Sequence, residues 1–361
     1  MAARGGEIVT ELDDVKWNFA HHAASSFDRT DAANASPLYA WLARCASLDK
    51  EILQLVLHAT TKSMRPHMLF AAVQYLLLSG VQDELVEFYP NFTIRPRPHG
   101  EAYPYFRAFC LKYAEEICRL VSTYGVQTNN VGRCAILLPA FALVAQHGGY
   151  RPLAMLELGP SAGLNMLWDR YGYDYGAAGY VGVHTSPVQI HCEVRGERVP
   201  ALPKKIPKIC WRMGIDLHPL DVHEEEAVRW LRALIWPEHR DRAQLLESAL
   251  IIARQHPRPM VVGDMVDRLP EVLKQVPVEA ILCLYHSYVL YQIPEPIRAR
   301  ILAQIAEFAK TRELFRVSFE SAREMGQAAL ELFWYRGGSE EQRLRLAEGE
   351  STGRWMKLSV Q

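Results

Sequence analysis

Residues 153–171, LAMLELGPSAGLNMLWDRY, constrain the fold more than any other part of the chain. An apolar run closes on Glu157 and Leu158, a turn of small residues spans Gly159 to Gly163, and an apolar pattern at helical spacing opens at Leu164. That order reads as a buried strand, a tight loop and the start of a helix running to about Tyr171. Glycine supplies the positive φ that such a turn needs. A helix start offers unpaired amides and the positive end of a dipole, which suits the polar part of a nucleotide-like ligand. The same letters, Gly159-Pro160-Ser161-Ala162-Gly163, also satisfy G-x-S-x-G, the nucleophile elbow of serine hydrolases. The two readings demand different chemistry.

Composition narrows the partners. Of 361 residues, 40 are basic and 41 acidic, giving a net charge of −1. No field of one sign is available to draw in nucleic acid or an anionic membrane, so a small-molecule substrate is expected instead. The cysteines are odd in number and lack C-x-x-C spacing, which reads as reduced thiols in a cytoplasmic protein. The N-terminal Met-Ala-Ala-Arg-Gly-Gly-Glu has no apolar core of a signal peptide. The longest apolar stretch, Cys134 to Ala145, contains Pro139 and falls short of the ~20 residues of a membrane span. No metal site is expected. His223-Glu224-Glu225-Glu226-Ala227 lacks the last histidine of H-E-x-x-H, and His21-His22 has no partner at ligand spacing.

The chain changes character near residue 150. Residues 1–150 read as an all-helical lobe: Ser36-Pro37 is a capping pair, and 50–58, 66–79, 105–122 and 131–146 are apolar at helical periods. The lobe is a candidate interface for a second copy or a different protein. Residues 151–361 alternate strands with helices. The expected strands are 153–158, 209–215, 259–264, 280–284 and 314–319, with further strands at 330–335, 343–347 and 355–358. Asp221 is expected to cap the helix carrying Trp230 and Leu231, and 172–208 reads as an inserted hairpin. Alternation of this kind implies an α/β fold with a mostly parallel sheet, whose ligands bind at the carboxyl ends of the strands.

A parallel sheet closed by an antiparallel hairpin after five alternating units resembles the Rossmann-like sheet of class I S-adenosylmethionine-dependent methyltransferases. The resemblance implies a cofactor site. Glu157 ends the first strand, Gly159 and Gly163 let the backbone approach the methionine part, and Asn165 follows. Asp216, after the second strand, takes the ribose hydroxyls, and Asp264, after the third, contacts the adenine. A carboxylate suits the ribose because it accepts two hydroxyl bonds at once. The middle glycine of the usual pattern is Ser161 here. In the hydrolase reading Ser161 is the nucleophile, Asp264 the orienter and His286 the base, an order that fits the elbow. Against it, the strand before Ser161 is the first of the sheet rather than a central one reached late.

The segment from Gln127 to Arg133 is the strongest candidate outside the sheet. Gln127, Thr128, Asn129 and Asn130 are costly to bury without partners. Either the segment closes over the cradle and touches substrate, or Thr128 or Asn129 caps the following helix. Arg133, Asp169 in the helix after the cradle, and Tyr285 at the end of the fourth strand are the other candidate substrate contacts. His286, Glu320 and Asn130 are the candidates for base or orienter.

Gln127-Thr128-Asn129, Gly132-Arg133, the stretch Glu157 to Asn165, Asp169-Arg170-Tyr171, Gly214-Ile215-Asp216-Leu217, Trp230-Leu231 and Trp236-Pro237-Glu238 together resemble a bacterial family of unknown function, over nearly the whole chain. The resemblance implies a methyltransferase-type fold with a helical N-terminal lobe, and no activity. The family pattern carries glutamate where this chain has Asn130. The expected function is methyl transfer from S-adenosylmethionine to a small molecule, in which proximity and in-line geometry carry much of the rate. The alternatives are the same fold turned to cofactor-independent cyclisation or elimination, a serine hydrolase using Ser161, and a non-enzymatic partner-binding module.

Overall fold

The structure, a computed structural model, describes residues 11–28, 35–200, 202–321, 327–335 and 342–359. The N-terminal stretch read above for a signal peptide lies outside them. The helices are α1 (Glu11–His22), α2 (Pro37–Ala46), α3 (Lys50–Gln54), α4 (Arg65–Leu78), α5 (Ala102–Lys112), α6 (Ala114–Thr123), α7 (Arg133–His147), α8 (Glu225–Ala233), α9 (Arg240–Gln255), α10 (Met265–Leu273) and α11 (Glu295–Ala309). The strands are β1 (Leu153–Leu158), β2 (Gly172–Asp174), β3 (Tyr180–Gly182), β4 (Gln189–His191), β5 (Glu193–Arg195), β6 (Ile209–Asp216), β7 (Met260–Val262), β8 (Ile281–Ser287), β9 (Leu314–Ser321), β10 (Gln327–Tyr335), β11 (Gln342–Glu350) and β12 (Trp355–Leu358). Among the described residues no helix is long and apolar enough to cross a membrane.

Two compact units result: Met1–Thr128 with Glu224–Ala243, and Asn129–His223 with Gln244–Gln361. The first is helical. Ser36 caps α2 by accepting the Tyr39 amide, with Pro37 at the first helical position, as the Ser-Pro pair implied. Rings of Phe27, Tyr39, Phe70 and Phe106 interlock in its core. The apolar stripe of α8 joins this core through Trp230, Ala233 and Leu234. Trp230 Nε1 donates to the Gly125 carbonyl at 2.9 Å, and Gln74 Nε2 donates to the Ala233 and Ile235 carbonyls at 3.0 and 2.6 Å, so the buried polar groups are matched. Asp221 does not cap α8. It accepts the His223 amide in the preceding turn, and the helix starts after Glu224.

The second unit is mixed α/β, built on a nine-stranded, mostly parallel sheet of order β5-β12-β11-β10-β9-β8-β1-β6-β7. The chain lays β6 and then β7 on one side of β1, and later β8 and β9 on the other, all parallel. The order therefore reverses between β1 and β8, the position where open parallel sheets leave a crevice at their carboxyl ends. Beyond β9, the strands β10, β11 and β12 follow as an antiparallel meander in chain order.

Period-two alternation assigns the faces. Ala154, Leu156 and Leu158 of β1 and Leu282 and Leu284 of β8 pack with α10 and α11. Glu157 and Tyr285, paired in register, face the other way, where Phe141 of α7 lies 5.1 Å from the Tyr285 ring and 4.8 Å from Trp168.

Two expectations are corrected here. The insertion is not a hairpin. A separate sheet forms in the order β3-β2-β4, with β2 antiparallel to β3 and parallel to β4, while β5 joins the edge of the main sheet beside β12. The buried tyrosines enforce this, since Tyr175 Oη donates to the Ala135 carbonyl of α7 at 2.6 Å. Nor does an α-helix follow the glycine turn. Leu164–Arg170 forms kinked 3-10 turns. Carbonyls that an α-helix would use are taken by side chains: Leu164 by Tyr171 Oη, Met166 by Arg212 Nη1 and Trp168 by Tyr173 Oη.

Candidate functional site

The crevice between β1 and β8 holds an unusual acid. Glu157 is 3% exposed, and its Oε2 accepts the Tyr285 hydroxyl at 2.9 Å. Burial pushes its carboxyl up to about 8; the Tyr285 bond opposes this, the Asp216 charge adds to it, and the Arg133 charge opposes it again. Among the described residues Oε1 has no hydrogen-bond partner. At neutral pH Glu157 thus carries a proton, and Oε1 is the oxygen free to offer it.

Beside Glu157 runs the glycine turn, whose amides at Gly159, Ser161 and Gly163 are already spoken for. Gly159 N donates to the Ile215 carbonyl at 2.9 Å, Gly163 N to that of Pro160 at 2.8 Å, and Ser161 N to Asp216 Oδ2 at 2.8 Å. Asn129 clamps the turn with one carboxamide, donating from Nδ2 to the Pro160 carbonyl and accepting Leu164 N at Oδ1, both at 2.9 Å. Arg258 Nη1 holds the Ala162 carbonyl at 2.6 Å. The expected cradle of open amides is therefore a loop whose amides at Gly159, Ser161 and Leu164 are taken from outside it.

Its surface is also covered. A Cβ on Gly159, at φ +68°, would lie 2.7 Å from Cγ2 of Val289. Ser161 adopts φ +55°, the left-handed region the pattern reserves for glycine. S-Adenosylmethionine, the cofactor that the methyltransferase resemblance implies, would meet Val289 over Gly159 and would find the amides of Gly159, Ser161 and Gly163 already bonded.

The acids after β6 and β7 are committed in different ways. Asp216 is buried and accepts His218 N at 2.9 Å through Oδ1, opposite its bond to Ser161. Burial raises its carboxyl, while the amides of His218 and Ser161 pull it back. Asp264 Oδ1 accepts Val266 N at 2.7 Å and caps α10. Asp169 is held in a two-pronged pair with Arg212 at 3.0 Å for each prong. Asn165 Oδ1 accepts the Cys134 thiol at 3.4 Å.

His286 sits one residue beyond Tyr285 and faces the opposite side of the sheet. Its Nδ1 lies 2.6 Å from Glu320 Oε1 and its Nε2 3.3 Å from Arg316 Nη1. Burial lowers the His286 pKa against the pull of Glu320, so the ring is neutral with its proton on Nδ1 and its lone pair toward Arg316. Glu320 also accepts the backbone amides of Val289, Leu290 and Tyr291. Together the two residues fasten the segment after β8. The sequence Ser161, Asp264, His286 is not assembled as a relay, because Asp264 caps α10 and both histidine nitrogens are engaged.

The segment from Gln127 to Arg133 is divided. Gln127 and Thr128 belong to the helical unit. The residue preceding α7 is Gly132, so neither Thr128 nor Asn129 caps that helix. The Asn130 carbonyl accepts the Arg133 amide at 3.2 Å. Arg133 itself is brought to the end of β8. Its Nη1 donates to Ser287 O and Oγ at 3.3 Å, its Nε to the Ser351 carbonyl at 2.7 Å, and its guanidinium lies 4.4 Å from the centre of the Tyr288 ring.

Sequence reasoning missed Tyr288, Val289, Arg212 and Arg258. A charged residue inside the otherwise apolar β6 pointed to Arg212, whereas the positive φ of Tyr288, +60°, had no local signature. An apolar cavity of about 380 Å³ lies apart from these residues, lined by Pro139, Leu143, Leu330, Leu346, Met356 and Leu358 among others.

Comparison with known proteins places the chain in a family. The model of the family described as "Uncharacterized protein conserved in bacteria (DUF2332)" matches residues 21–358, and the chain belongs to that family. No curated protein and no solved structure matches it.

Proposed function

We propose that this member of an uncharacterised bacterial family is a small-molecule-modifying enzyme that works by proton transfer in the crevice between β1 and β8, without S-adenosylmethionine. The observation that carries the reading is Glu157, a buried carboxyl that keeps its proton to about pH 8 and has one oxygen unbonded among the described residues. A group poised near the working pH is what general acid catalysis requires, and perturbed acids in crevices mark functional sites. In the proposed step the O–H bond at Glu157 Oε1 breaks and its proton passes to the bound molecule. The carboxylate left behind is stabilised by the Tyr285 hydroxyl and regains a proton from solvent. Cyclisations and eliminations share such a step.

Methyl transfer from S-adenosylmethionine is the second reading, supported by Asp216. Its carboxyl stands at the end of the strand next to β1, and a carboxylate can accept more than its two bonds to backbone amides.

One experiment tests both. A bacterial metabolite extract is incubated with the full chain or with Glu157→Gln, with and without added S-adenosylmethionine, and compared by mass spectrometry. Compounds consumed by the wild type alone, in both conditions, support proton-transfer chemistry. Consumption only with the cofactor transfers the assignment to methyl transfer, and identical extracts from both proteins refute an enzymatic role for Glu157.

A further inference from the structure

We infer that Arg133 is an oxyanion-binding residue of this crevice, and that the molecule the protein acts on carries a carboxylate or a phosphate seated against its guanidinium. The inference rests on the enzymatic reading only in calling the bound molecule a substrate.

Arg133 is 6% exposed, yet among the described residues no carboxylate lies within 4.0 Å of it. Buried charges are ordinarily paired, because an isolated ion in a poor dielectric is expensive. The neighbouring acids are committed elsewhere. Glu320 is occupied by His286 and the amides of residues 289–291, and Glu350 by the hydroxyls of Ser351 and Thr352 and the Thr352 amide. The partners Arg133 does have are neutral: two carbonyls, one hydroxyl and an aromatic face. They orient the guanidinium without neutralising it. They also use only Nε and Nη1; Nη2, with its two hydrogens, has no acceptor among the described residues.

The surroundings hold this geometry in place. Gly132 and Gly353 approach so closely that a Cβ on either would run into the other's backbone neighbourhood, at Thr352 O and Gly132 O respectively. That contact presents the Ser351 carbonyl to Nε. Tyr288 takes a left-handed backbone at φ +60°, unfavourable for a side chain of its size, and so lays its ring under the guanidinium. Ser287, which Arg133 holds, lies two residues along β8 from Tyr285 and so on the same face of the sheet as Glu157. A cation fixed by neutral groups, with a free edge beside an acid, is built for a planar or tetrahedral oxyanion.

Calorimetric titration of the full chain at low salt with inorganic phosphate and with succinate tests this. The expected result is saturable binding of one or both, weakened tenfold or more in Arg133→Lys, which keeps the charge and loses the fork. Tyr288→Asn tolerates the left-handed backbone and removes the ring, and should weaken binding by roughly threefold to tenfold; it decides the matter if the Arg133 variant does not fold. Phosphate binding alone assigns a phosphate ester, and succinate binding alone a carboxylate. Absence of binding by both probes to the wild type, or equal binding by the wild type and the folded variants, overturns the inference. The two readings fail separately: Arg133-dependent binding with an ordinary Glu157 pKa removes the proton-transfer reading and leaves the anion site, and the reverse result removes only the anion site.

Discussion

Replacing Glu157 with glutamine removes one titration and little else. The carboxamide is nearly isosteric and still accepts the Tyr285 hydroxyl, so the two proteins differ mainly in whether residue 157 can lose a proton. An unfolded glutamate ionises near 4.5, whereas burial holds the folded one to about 8. The folded state therefore keeps a proton that the unfolded state releases. Stability from this group is complete below pH 4.5 and falls as pH rises toward about 8, after which the loss is constant. Its slope is about 1.4 kcal/mol per pH unit, and the full loss is about 5 kcal/mol. Urea unfolding of the wild type and Glu157→Gln at pH 5, 6, 7 and 8 reads this directly, because titrating groups not coupled to Glu157 cancel in the difference. The glutamine protein should match the wild type near pH 5 and gain on it steadily to pH 8. A difference that stays flat, or that favours the wild type as pH rises, would mean that Glu157 ionises freely in the folded protein.

Gly159→Ala should destabilise the second unit by about 2–4 kcal/mol, combining a left-handed backbone with a clash against Val289. Pairing it with Val289→Ala should return the steric part in thermal unfolding, and equal costs in both backgrounds would show that Val289 does not cover the turn. Asp216→Asn should cost about 1–3 kcal/mol and speed amide exchange at Ser161 and His218, whose amides Asp216 accepts; unchanged exchange would contradict that tie. Burial acts to raise the Glu320 pKa, but His286 and the amides of Val289 and Tyr291 outweigh it and hold the carboxyl below the usual range. Its stabilisation is therefore present above the ordinary carboxylate range and lost as pH falls through the lowered value. Glu320→Gln should accelerate exchange at Val289, Leu290 and Tyr291 at neutral pH, and the effect should fade in acid.

Much of the fold is legible in one sequence because its signals are local. The apolar run before Gly159 is β1 at the expected residues, and the helices around 37, 65 and 133 begin at a capping pair or an apolar periodicity. The parallel strands followed in the same way from apolar runs separated by helical patterns. The site was less legible because its bonds are not local. The loop after β1 is satisfied by Asn129, Asp216 and Arg258, and covered by Val289, residues scattered along the chain from 30 before it to more than 120 beyond. No reading of a pentapeptide shows that its amides are occupied from outside. Adjacent strand residues point to opposite faces, so alternation alone places His286 with Glu320 on the face away from Tyr285. The replacement of the inserted hairpin by the small β3-β2-β4 sheet had no such signal, since it depends on tyrosines finding carbonyls in α7 and in the turns after β1.

The central claim is that Glu157 holds a proton in the crevice at neutral pH. Carbon-detected NMR of protein labelled at the glutamate side-chain carboxyl, with the Glu157 signal identified by its absence in Glu157→Gln, measures this without substrate. The account predicts a titration centred near 8 that moves toward the ordinary range in Tyr288→Asn only slightly, since Tyr288 does not touch the acid. A Glu157 signal already fully ionised at pH 6 would contradict it.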